Sequence, residues 1–345
     1  MSLVACAEDV SVRIETGFAE SVLEEVCSAS EIDDAAIRQS VPVQDMLAHF
    51  SKFRDDFTIE NYIEARKAAS VCATHGNDIF RFGGVIEKRD ELGRQIAEMS
   101  AGQVGMSETA SDMLRALTPR DVEYDGSAIL MIGTPSCGGW SNGPVFYVDV
   151  PCLDGDADGL LFLIAHETYH GVQDLFMPVV DETAPSSLRL FDAIIMEGSA
   201  LHLADFSLIE DPGRYSELNQ DVIIKNRGRM AENLDLLDMM VAYLEAGDSE
   251  DAYKKVYTIG ASGLFDAPLY AIGDMMVSAV RARFGAEAVV CLMALPANHF
   301  VLAYERAVQA GDGDEDHLAM PGNVLAIAEA LGIDEVRLTA CLNDR

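Results

Sequence analysis

The sequence predicts a mainly helical α+β fold in which a small β-sheet precedes a central apolar helix. Three observations predict it. Apolar residues recur at helical spacing over most of the chain, strand-like runs are confined to one short stretch, and glycine and proline gather at the junctions. In the first third, Phe18, Val22, Leu23 and Val26 share one helical face, followed by Met46, Leu47 and Phe50 and then by Tyr62, Ala65 and Ala69. Ile79 to Met99 reads as a further, mostly polar helix. This helical N-terminal region, residues 1–120, ends near Pro119.

The pattern then changes. Ala128 to Ile132 is a short apolar run, and Val145 to Val150 is a second one rich in β-branched and aromatic residues. The turn-rich segment Gly133 to Gly143 lies between them, so a strand pair joined by a glycine loop is expected. The acidic loop Asp154 to Gly159 leads into an apolar helix from about Leu160 to Phe176, and Ser186 to Phe206 reads as the next helix. Together these form a core over residues 121–210. Residues 211–345 read as a helical C-terminal region completing a cleft, with one or two helices between Arg214 and Leu244 and breaks near Pro296 and Pro321.

Charge narrows the choice of partners. Fifty-eight acidic residues against 24 basic ones leave a formal charge of −34 on 345 residues. A field of that sign repels nucleic acid and anionic membrane surfaces, so neither is an expected partner. No apolar run approaches the ~20 residues of a membrane-spanning helix. The seven cysteines are scattered with no CxxC pair, which removes a zinc ribbon or thioredoxin-like motif and reads most of them as small buried hydrophobes. Leu3-Val4-Ala5-Cys6 matches a lipobox, the cleavage site of bacterial lipoproteins. The match raises a lipid anchor at Cys6 and a place in the cell envelope or outside the cell. The basic segment and apolar run that precede a lipobox are missing, and an accidental match leaves a cytoplasmic protein.

The chemistry concentrates in Leu161-Phe-Leu-Ile-Ala-His166-Glu167-Thr168-Tyr169-His170. On a helix, His166 and His170 leave the same face one turn apart, so their imidazoles fill two neighbouring corners of a zinc tetrahedron. Glu167 projects beside the metal and is placed to take a proton from water rather than to coordinate. A catalytic zinc needs a third protein ligand and an open position. Glu197, 27 positions beyond His170, is the best candidate. Ile194, Ile195 and Met196 beside it are apolar, so its carboxylate is expected to be buried and to need a cation or another partner. His202, Asp192 and Asp205 on the same segment are fallback ligands or partners of the ligating histidines.

His166-Glu-Thr-Tyr-His170 followed by Glu197-Gly-Ser-Ala resembles the gluzincin pattern of thermolysin-like zinc peptidases. More narrowly, the runs Val10 to Thr16, Val41 to Met46 and Tyr270 to Met276 resemble a bacterial family of zinc-dependent peptidases. The resemblance implies a zincin-like fold, Zn2+ as cofactor, a peptide or protein substrate, and Glu197 as third ligand. It also implies that Pro144 to Val150 is an edge strand pairing with extended substrate. Tyr270 is the first choice for a hydroxyl that steadies the oxyanion, with Tyr257 and His299 behind it. Leu201 stands four after Glu197, where thermolysin-like enzymes often place an aspartate.

Other readings compete. Asp154, Asp156, Asp158 and Gly159 match the first half of a calcium loop, but Ala165 stands where the bidentate glutamate belongs. A cap on the following helix explains the same acids. Glu167 and His170 spell half of a di-iron motif whose second half is missing. A zinc site used only for structure or binding, and a zinc hydrolase of non-peptide amides or esters, remain as alternatives to a peptidase.

Overall fold

The computed structural model describes residues 9–311 and 318–343. Strand β1 (Val10–Glu15) is followed by helices α1 (Gly17–Glu25), α2 (Asp34–Gln39), α3 (Val41–Phe50), α4 (Ile59–Ser70), α5 (Phe82–Glu87) and the long α6 (Arg89–Arg115). Strands β2 (Tyr124–Met131), β3 (Gly139–Asn142) and β4 (Val145–Asp149) lead into α7 (Ala157–Gln173) and α8 (Ser186–Leu203). The rest is helical: α9 (Arg214–Gly228), α10 (Met230–Ala246), α11 (Glu250–Ala261), α12 (Pro268–Phe284), α13 (Ala286–Met293), α14 (Asn298–Ala310), α15 (Gly322–Ala330) and α16 (Glu335–Asn343). The fold is mainly helical α+β, as the periodicity predicts. No helix among the described residues is long and apolar enough to cross a membrane.

The four strands form one sheet in the order β1-β2-β4-β3. Two sequence expectations are corrected here. The N-terminal region opens with a strand: Val10, Val12 and Ile14 are buried, and β1 pairs in parallel with β2, Val10 opposite Tyr124. Three apolar residues alternating over six positions are a short signal, and the partner lies more than a hundred residues away. The second correction concerns β4. It is an interior strand, parallel to β2 on one side and antiparallel to β3 on the other, so its backbone is already paired along both flanks. The edge belongs to β3, formed from the glycine loop itself. That loop passes the end of β4, runs back along its outer side and turns at Gly143, which has φ +58°. Chain order places a segment before the zinc helix; only pairing decides which strand is outermost.

Helix α6 packs against β1, and α7 lies between this sheet side and the helical half, touching α6, the sheet and α8. Asp156 caps α7: its Oδ1 accepts from Gly159 N–H at 2.7 Å and its Oδ2 from Ser216 N–H at 2.7 Å. Both oxygens are therefore used in tying the start of α7 to α9, and Asp154 pairs with Lys88 at 2.6 Å. The acidic loop is a cap in this structure, consistent with the electrostatic preference for carboxylates at helix N-termini.

Six cysteines form disulfides: Cys27–Cys72, Cys137–Cys152 and Cys291–Cys341. This corrects the reading of most cysteines as buried thiols. Their spacing gives no hint of pairing; the fold brings each pair of Cα atoms to within 4.6–5.4 Å. Cys6 lies outside the described residues.

Helices α8 and α12 make the closest inter-helix contact of the helical half. A Cβ on Gly198 would stand 2.2 Å from the Cα of Gly273, and one on Gly273 would stand 2.0 Å from the carbonyl oxygen of Ile194. These are backbone atoms that cannot step aside. Gly273→Ala should therefore destabilise the protein by about 2–3 kcal/mol in urea unfolding, despite alanine's better helix propensity. Wild-type stability in that variant would show that the two backbones are not in contact.

Candidate metal centre

The first two metal candidates rise from the middle of α7, where the apolar lead-in Leu160 to Ala165 buries the helix. Four residues apart, His166 and His170 present their rings edge to face, with centroids 5.0 Å apart. Glu197 comes from α8, packed alongside, and points its carboxylate at both rings. Its Oε2 lies 3.5 Å from His166 Nε2 and 3.3 Å from His170 Nε2. One ligand atom from each of the three residues lies within 4.8 Å of the others.

These distances fit a metal. A charge-assisted hydrogen bond closes to about 2.7–2.9 Å, shorter than either contact. The edges of a tetrahedron with zinc–ligand bonds of about 2.0–2.2 Å are about 3.3–3.6 Å. Glu197 Oε2 is also buried with no hydrogen-bond partner, a costly state for a carboxylate oxygen that no cation answers. Two imidazole nitrogens and one carboxylate oxygen are a donor set suited to zinc.

A partner that sequence reasoning missed holds His170 in place. Its Nδ1 lies 2.7 Å from Gln173 Oε1, and Gln173 Nε2 donates to Met196 O and to Ser199 Oγ, both at 2.8 Å. With Nδ1 donating, Nε2 is the nitrogen left to offer a lone pair to a metal, and it faces Glu197. Gln173 is wholly buried and so links α7 to α8 directly beneath the ligands. Its position three after His170, on the same helical face, was the available signal.

The fallback residues are elsewhere. His202 pairs with Asp274 at 3.0 Å and accepts from Arg281 at 3.1 Å. Asp205 pairs with Arg227 and caps the helical turn after α8. Asp192 is a half-buried carboxyl that burial pushes up to about 6. None of the three belongs to the metal-competent group. His299 is engaged elsewhere, its Nε2 accepting from Asp334 N–H at 2.9 Å.

Tyr270, from the first turn of α12, does reach the centre. Its ring lies parallel to that of His166 with centroids 6.0 Å apart. Burial first, and then the charge of the adjoining Glu197, hold its hydroxyl proton more tightly than in water. Tyr257 on α11 feels burial and then Glu197 in the same sense. His166, Glu167 and Tyr270 together form one wall of a cavity of roughly 290 Å³. Glu167 is half-buried there, and its charge adds to the burial that pushes the Tyr215 phenol up to about 12.

Without metal, the three ligands form a charged cluster. Burial lowers the pKa of His170, but the adjoining Glu197 carboxylate, with Glu167, outweighs it and raises it to about 9. Burial raises Glu197, and the two histidines overcome that to hold it below the usual carboxylate range. The sign follows. A histidine raised above its ordinary 6.5 stabilises the metal-free fold fully below that pH, and loses the contribution as pH climbs through about 9. Zinc competes for the same nitrogen. Its binding at pH 7 should release protons, seen as a heat that varies with buffer ionisation enthalpy in calorimetry, and should tighten as pH rises toward 9. Buffer-independent heats at pH 7 would contradict a protonated His170.

A family model described as "Putative zinc dependent peptidase (DUF5700)" matches residues 38–312, which include every residue of the centre. No curated protein and no solved structure matches the chain. The match covers most of the sequence and names the metal that the donor set suits, so this chain belongs to that family of zinc-dependent peptidases.

Proposed function

We propose that this protein hydrolyses peptide bonds, with His166, His170 and Glu197 holding zinc and Glu167 acting as general base. The observation that carries the reading is the buried, partnerless Glu197 Oε2 set 3.3–3.5 Å from two imidazole nitrogens, with Glu167 on the adjoining cavity wall. Zinc at this position supplies a Lewis acid that makes water more acidic and polarises the scissile carbonyl.

The chain's own residues do the rest. Gln173 keeps His170 in the tautomer whose Nε2 is free. Glu167 accepts a proton from the attacking water as its oxygen bonds to the carbonyl carbon. When the C–N bond breaks, that proton passes to the departing amine, so Glu167 ends as it began. The Tyr270 hydroxyl, kept protonated by burial and by Glu197, donates to the oxygen on which negative charge develops.

Glu167→Gln should lower kcat by several orders of magnitude while leaving one zinc per chain in metal analysis, because the amide cannot take the proton yet leaves the ligands intact. Glu197→Ala should lose zinc itself. A fully active Glu167→Gln protein would remove the general base from this mechanism.

We also propose that the protein works in an oxidising compartment outside the reducing cytoplasm. Three disulfides support this, since glutathione and thioredoxin keep such cysteines reduced in the cytosol. Alkylation of the native protein, followed by mass spectrometry, should leave six cysteines unmodified until a reductant is added. Labelling of Cys27, Cys137 or Cys291 before reduction would count against it.

A further inference from the structure

We infer that the cavity beside the metal centre is a specificity pocket for a large apolar side chain of the peptide, next to the scissile bond. The inference rests on the peptidase reading and adds a substrate class to it.

The cavity is lined by His166, Glu167 and Tyr270 and is otherwise mainly apolar, with Leu163, Leu201, Phe206, Val222, Ile223 and Ala271 among its lining residues. A substrate whose carbonyl sits at the metal therefore has a neighbouring side chain within reach of this lining. At roughly 290 Å³ the space takes a leucine or phenylalanine side chain together with adjoining backbone.

Two of the polar residues on the wall are already engaged. Asp266 binds Lys225 at 2.6 Å and Arg229 at 3.2 Å. Asn226 donates to Asp266 O at 2.6 Å and accepts from Arg229 at 2.8 Å. No cation is among the residues found to line the cavity, so an acidic side chain would meet Glu167 and lose its water without compensation.

Val222 is a suitable probe, being half-buried on α9 and outside the metal-binding and proton-transfer groups. The substrates are blocked alanine hexapeptides with Leu, Phe, Asp or Lys at one central position. The zinc-loaded wild type should cut the Leu and Phe peptides beside that residue at least ~10-fold faster, in kcat/KM, than the Asp peptide. Val222→Trp, which fills the pocket, should erase most of this preference. Val222→Lys should bring the Asp peptide up toward the others. A binding arm needs no turnover: zinc-loaded Glu167→Gln protein, titrated calorimetrically, should bind the Leu peptide at least ~10-fold more tightly than the Asp peptide. Equal binding, or a preference untouched by both Val222 variants, would overturn the pocket assignment and leave the peptidase reading standing. No cleavage of any peptide, with the binding preference intact, would keep the pocket and count against peptide hydrolysis.

Discussion

A carboxylate buried between two imidazoles, with one oxygen lacking any hydrogen-bond donor, is the constraint around which this molecule is organised. Removing such a charge from water costs several kcal/mol unless a proton or a cation answers it. In the metal-free state the answer is a proton on His170, which explains why that histidine is raised and Glu197 lowered together. In the proposed zinc-bound state a cation would take the place of that proton. The same three side chains thus link folding, protonation and metal affinity, and only their neighbours decide how tightly.

Those neighbours are supplied by helix packing. Gly198 and Gly273 let α8 and α12 meet backbone to backbone, which brings Tyr270, three residues before Gly273, beside Glu197, one residue before Gly198. On the other side, the Gln173 amide bridges His170 to two groups on α8. Asp156 anchors the start of α7 to α9, the helix that forms much of the cavity wall. Each contact joins a pair of elements that would otherwise be free to slide, so the ligands converge without a loop having to carry them.

The surface and the disulfides address a different problem. A charge of −34 repels itself and weakens the compact state, while it also keeps the protein soluble. Cross-links restrict the unfolded chain: loops of 45 and 50 residues are each worth about 4 kcal/mol, and the loop of 15 about 3 kcal/mol, in the chain-entropy account. The shortest, Cys137–Cys152, closes the segment that contains β3 and β4.

The candidate metal site was legible in the linear sequence because it is local. His166, Glu167 and His170 lie within one turn and a half of helix, and helical geometry alone aims them. The apolar flanks of Glu197 announced a buried carboxylate for the same reason, and the helical majority of the fold follows from a period that nearby residues share. Other features depend on partners far along the chain. That β4 is interior, that β1 is a strand, and that six cysteines pair were decided by contacts spanning tens to more than a hundred residues. Gln173 needed both: its spacing offered it to His170, but its link to α8 required packing. The sequence by itself determined which atoms this protein can offer to a zinc ion. The tertiary structure decided which of them meet, because burial and close backbone approach are properties of elements brought together, not of residues in a row.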